Sequence, residues 1–131
     1  MLKQDYLMRT IHELVRTLLK LLFQMDEDRC EETLEEEDKK RYARLKKKIE
    51  AGDINGAENE LLDSLDPGRM ADLKLALLFY EGLNQKEDIF LQASDYSRDE
   101  VEEGIAAVMR MFGYDSLVGT LMPETEEDSP W

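Results

Sequence analysis

Between residues 3 and 25, Asp5, Arg9, Glu13, Arg16, Lys20 and Gln24 recur at three- and four-residue steps, and almost every position between them is apolar. That spacing predicts one helix from Lys3 to Met25 with a single polar stripe. A surface helix ordinarily buries an arc of roughly 100° or somewhat more. Here Tyr6, Leu7, Met8, Ile11, Leu14, Val15, Leu18, Leu19, Leu21, Leu22 and Phe23 make a wider one. Either several neighbours wrap this helix or another copy of the chain covers part of it. Leu7, Ile11, Leu14, Leu18 and Leu22 are the expected contact positions, with packing in the chain's own core as the alternative.

Residues 26–33 form an acidic linker ending in Thr33, which with Glu36 makes a capping box for a second helix over residues 34–51. Its apolar stripe is thin (Leu34, Tyr42, Leu45, Ile49), which places it at the edge of the domain. Gly52-Asp53 breaks the pattern, and Ile54, Ala57, Leu61 and Leu65 restart it, with Asp53 as the N-cap. Asp66 and Pro67 then read as the cap and first position of a fourth helix. That helix is apolar on two faces, Met70, Leu73, Leu77 and Tyr80 on one and Leu75, Leu78 and Phe79 on the other, so it belongs in the middle.

A short helix over residues 86–93 carries Ile89 and Phe90. Ser97 with Glu100 is a second capping box and Tyr96 with Val101 a hydrophobic staple. Val101, Ile105, Val108 and Phe112 continue a sixth helix to Gly113, and Leu117, Val118 and Leu121 add a further turn or a strap. No alternating β-branched run supports a sheet. The expected fold is therefore all-α, five to six helices in antiparallel hairpins, with residues 1–122 as one domain. Glu124, Glu126, Glu127 and Asp128 mark residues 123–131 as a disordered acidic tail ending in Trp131.

The hairpin from Tyr42 to Pro67 resembles a tetratricopeptide repeat: Gly52-Asp53-Ile54 and Ala57 match its turn and small residue, Asp66-Pro67 its exit. The second helix is short of the repeat's period and no second repeat follows, so the arrangement is tetratricopeptide-like or a bundle rather than an array. The opening Gln4-Asp5-Tyr6-Leu7-Met8-Arg9, with Ile11 and Leu18-Leu19-Lys20-Leu21-Leu22, resembles an uncharacterised family of small helical proteins from Firmicutes. That resemblance implies an all-helical fold and a bacterial cytoplasm, and no catalytic residues.

With 31 acidic against 17 basic residues the chain carries −14, which argues against duplex nucleic acid and anionic membrane as partners. Seven basic residues nonetheless cluster at Lys39, Lys40, Arg41, Arg44, Lys46, Lys47 and Lys48, the one feature suited to RNA or another polyanion. Glu35, Glu36 and Glu37 are spaced to pair with the first three, and residues 49–131 hold 20 acids against 5 bases that can neutralise the rest. His12-Glu13 begins a zinc-protease motif whose second histidine is replaced by Arg16, so a structural or surface role is expected for His12. Asp26, Asp28 and Glu37 have EF-hand spacing, but Cys30 and Glu31 stand where a ligand and a glycine are needed. Cys30, the only cysteine, sits among acids that disfavour a thiolate, and a reducing cytoplasm suits it.

These readings point to a non-enzymatic protein–protein interaction or scaffold module. It would bind a protein partner or a second copy, a homodimer, through the first helix, with no cofactor, metal or membrane. The alternative is RNA or polyanion binding through Lys39, Lys40, Arg44, Lys46, Lys47 and Lys48.

Overall fold

The polar stripe of the first segment does produce a helix. α1 runs Leu2–Phe23 and stops where Gln24 adopts a φ of 50°, a left-handed conformation that cannot continue it. The computed structural model describes residues 2–122, with side chains from Gln4 onward; the expected tail at 123–131 and Trp131 lie outside the described residues. After α1 come two 3₁₀ turns (Glu27–Arg29, Glu31–Thr33) and then α2 (Glu36–Glu50), α3 (Ile54–Ser64) and α4 (Met70–Asn84). α5 (Asp88–Ala93), α6 (Arg98–Met111) and α7 (Asp115–Leu121) complete the described chain, which contains no strand. The all-α expectation holds, with seven helices rather than five or six.

Two helix starts differ from those expected. Thr33 does not cap α2; it lies in a 3₁₀ turn, donates to the Cys30 carbonyl at 2.7 Å, and α2 begins after Glu35 without a side-chain cap. α4 begins at Met70, three residues beyond Pro67, because residues 66–69 form a turn closed by Gly68 N–H to Asp66 Oδ1 at 2.9 Å. The Asp53 cap does form, accepting from Gly56 N–H at 3.0 Å, and Ser97 accepts from Glu100 N–H at 3.3 Å. α2 and α6 end alike: Gly52 and Gly113 each take a φ of +89°, and the next residue's N–H returns to a carbonyl five positions back. That αL closure is cheap only for glycine.

α4 is the central element, packed against α1, α2 and α6, while α3 folds back on α2 and α7 on α6. Its two apolar faces are interior, with Leu73, Leu75, Leu77, Phe79, Tyr80 and Leu83 fully buried. α6 comes close to α4 because of Gly104, where a Cβ would lie 2.4 Å from the Tyr80 ring. Arg98, only 1% exposed, ties the helix ends together. Its guanidinium donates to the carbonyls of Asn84 (3.0 Å) and Lys86, to Gln4 Oε1 (3.1 Å) and to Asp88, joining α1, α4 and α5. Such bonds satisfy carbonyls that a helix end leaves open. No described helix is long and apolar enough to cross a membrane.

Candidate functional site

The apolar arc of α1 is wrapped by its own chain. Ile11 and Leu18 are interior at 0% and 1% exposure, alongside Val15 and Leu19. Leu14 and Leu22 are half-buried against the core, and Leu7 is half-buried. Leu14 and Leu18 line one narrow gap with Leu117, Val118 and Leu121 of α7, so the strap that the sequence left open lies on this side. The five expected contact positions are thus split between interior and flank. What α1 turns outward is a different line: Tyr6, Thr10, Glu13, Thr17 and Leu21, again at three- and four-residue steps. Its ends are apolar, Tyr6 at 63% and Leu21 at 53% exposure.

Beside Leu21 lies an open cleft of about 640 Å³, between the C-terminal half of α1 and residues 25–28. Leu21 and Met25 supply its apolar surface, and Glu13, Asp26, Glu27 and Asp28 its acids. Its two bases are engaged: Lys20 donates to Asp26 at 2.7 Å and Arg16 to Glu13 at 3.1 Å. Glu27 and Asp28 have no ion pair among the described residues, so the cleft carries net negative charge.

The basic cluster on α2 is largely neutralised within the molecule. Lys39 and Lys40 stand 3.9 Å from Glu36 and Glu37, a spacing of three residues rather than the expected four. Arg44 binds Glu60 of α3 (Nε–Oε2 2.8 Å), and Lys48 reaches the same carboxylate at 3.4 Å. Lys46 pairs with Glu31 at 3.2 Å and lies 4.7 Å from the Tyr42 ring centre. Of the seven, Lys47 alone has no ion pair among the described residues.

Arg41 belongs to a knot that the sequence did not reveal. Asp38 and Asp72, each 2% exposed, face each other across α2 and α4. Arg41 bridges them at 3.0 and 2.8 Å; Arg69 reaches Asp38 at 2.9 Å and also bonds Asp72. Asp72 additionally accepts from Asp66 N–H at 2.8 Å, which anchors the turn before α4. Asp38 is held below the usual carboxylate range chiefly by its bond from Arg69. For Asp72 burial pushes upward, but bonds from Arg41, Asp66 N–H and Arg69 outweigh it, and its pKa is also lowered. These groups are saturated with partners and make a structural clamp rather than a reactive centre.

A second polar cluster lies between α1 and α4. His12 Nδ1 is 2.7 Å from Glu81 Oε2, and Glu81 is 5% exposed. Glu81 also accepts from Gln85 Nε2 at 2.7 Å, and Asn84 Nδ2 donates to the Met8 carbonyl at 2.9 Å. Glu27, from the first 3₁₀ turn, brings its carboxylate to the same place: one donor atom from each of His12, Glu27 and Glu81 lies within 4.8 Å of the others. Sequence spacing cannot reveal a trio drawn from three elements, though an acid in the most apolar helix of the chain was a signal. On the far face, Tyr80 donates to Glu58 at 2.6 Å. Glu100 is raised there by burial and by the nearby charges of Glu58, Asp95 and Glu103. Cys30 is fully buried, and burial, more than its acidic neighbours, lifts the thiol to about 11. A thiol so placed is a poor nucleophile.

Compared with known proteins, residues 1–113 match the profile of a group described only as a Family of unknown function (DUF6483). No curated protein and no solved structure matches the chain.

Proposed function

We propose that this chain, which belongs to the DUF6483 family of unknown function, is a non-enzymatic docking module that holds a basic amphipathic segment of another protein against α1. The observation that carries this reading is the exposed Leu21 at the edge of an acidic cleft in which Asp28 has no ion-pair partner among the described residues. An apolar anchor ringed by carboxylates fits a helix that presents leucines on one side and lysines on the other. The charge of −14 steers such a segment toward the molecule and repels a second copy of it. In this reading the α2–α3 hairpin is a tetratricopeptide-like prop for the domain, not a binding groove. The setting is a bacterial cytoplasm, which suits the single thiol of Cys30.

The test is fluorescence polarisation with a labelled amphipathic Lys/Leu helix and a scrambled peptide of equal charge. The expected outcome is binding of the amphipathic peptide only, weakened roughly tenfold by Leu21→Asp, the equivalent of about 1.4 kcal/mol. Equal binding of the scrambled peptide, or no effect of Leu21→Asp, would sink the proposal. Light scattering on the same samples covers the homodimer version: a dimer dispersed by Leu21→Asp would make a second copy the occupant and refute the heterologous one.

A further inference from the structure

We infer that His12, Glu27 and Glu81 form a binding site for a divalent transition-metal ion of the zinc class. An imidazole nitrogen and two carboxylate oxygens, one from each residue, lie within 4.8 Å of one another. Zinc binds nitrogen and oxygen ligands at about 2.0–2.2 Å, so ligand atoms around one ion sit within about 4 Å of each other. The 2.7 Å between His12 Nδ1 and Glu81 Oε2 is hydrogen-bond spacing, so an ion enters by replacing that bond while Glu27 turns inward; Glu27 is half-buried on a three-residue turn at the cleft's edge.

Three features argue for an ion rather than a simple pair. His12 bonded to Glu81 would already be complete, yet a second carboxylate converges on them, from a segment with other water-facing positions for its acids. Two carboxylates close together repel unless a cation sits between them, and one imidazole offers at most a single positive charge. Glu81 Oε2, the oxygen facing His12, also accepts from Gln85 Nε2 at 2.7 Å, the kind of outer support that fixes a ligand's orientation. Asn84 Nδ2 lies 3.5 Å from the other Glu81 oxygen, Oε1.

The donor set selects the ion. Calcium and magnesium prefer oxygen alone, whereas an imidazole with carboxylates suits zinc and its first-row neighbours. An ion here clips the turn at Glu27 to both α1 and α4, and so fixes one wall of the cleft.

His12 is the only histidine, so its ring nitrogens give an unambiguous NMR signal in tag-free protein. Metal-free full-length chain is titrated with zinc against a chromophoric chelator while those signals are followed. One equivalent of zinc should bind and shift a His12 ring nitrogen. His12→Gln should abolish that binding and Glu27→Gln weaken it roughly tenfold or more. Both side chains are partly exposed, and circular dichroism of the metal-free variants verifies that they fold. Leu21→Asp should leave zinc affinity unchanged, which separates this site from peptide docking. Unmoved His12 signals at one equivalent would overturn the inference. So would zinc binding that survives both substitutions, or the same shift produced by magnesium.

Discussion

At Gly104 a single hydrogen sets how near α6 comes to α4. A methyl group there would lie 2.4 Å from the buried Tyr80 ring, which is packed on all sides and cannot swing away. Alanine favours a helix by about 1 kcal/mol over glycine, but overpacking costs about 1–3 kcal/mol. Gly104→Ala should therefore destabilise by roughly 1 kcal/mol net, read as a lower urea midpoint; an increase would show that the helices can part freely. Gly113 was legible as a helix stop because its role is local, a φ of +89° after the last apolar position. Gly104 was not, since nothing nearby in sequence announces the ring it makes room for. Arg98 was hidden for the same reason: it reads as a polar first-turn residue, yet its partners Gln4, Asn84 and Asp88 come from other elements.

Between elements, the Asp38–Arg41–Arg69–Asp72 clamp ties α2 to the start of α4. Both carboxylates are depressed in the folded chain, so they take up protons on unfolding. Their contribution is fully present above the unfolded carboxylate value of about 4 and is lost as pH falls through the lower folded values. Thermal melts should accordingly lose stability below about pH 4, and Asp72→Asn should flatten that acid limb while lowering stability at neutral pH. Removing one member of a buried pair costs about 3–5 kcal/mol; the lower end applies to Asp72→Asn, because Arg41 and Arg69 keep Asp38. An unchanged acid limb would place the acid-sensitive groups elsewhere. The helices themselves were legible from periodicity, and the starts of α2 and α4 were not. Thr33 and Glu36 satisfy the capping-box pattern, but Thr33 lies in a 3₁₀ turn and its hydroxyl oxygen accepts from Lys74 Nζ at 3.0 Å. Asp66-Pro67 satisfies the start pattern, but Asp72 draws the Asp66 N–H into the clamp.

For the molecule as a whole, the breadth of the apolar arc on α1 measures how many neighbours it has. Ile11 and Leu18 are core, so Ile11→Ala should cost about 2–5 kcal/mol in a denaturant melt and leave the mass by light scattering unchanged. A change in oligomeric state with little loss of stability would restore the first-helix interface. Charge at this scale also bears on the polyanion alternative for the seven clustered bases. Most are matched by Glu31, Glu36, Glu37, Asp38 and Glu60, and single-stranded RNA should give no mobility shift at physiological salt. Composition forecast that neutralisation in bulk; the pairings needed coordinates, because Glu31 comes from a 3₁₀ turn and Glu60 from α3.

Cys30 sits at 0% exposure in the short segment that also carries Glu27. A thiol sealed in this way reacts with a maleimide or disulfide reagent only while its surroundings are lifted off the helices. The rate of labelling is therefore a clock for that lifting, built into the native chain with no engineered probe.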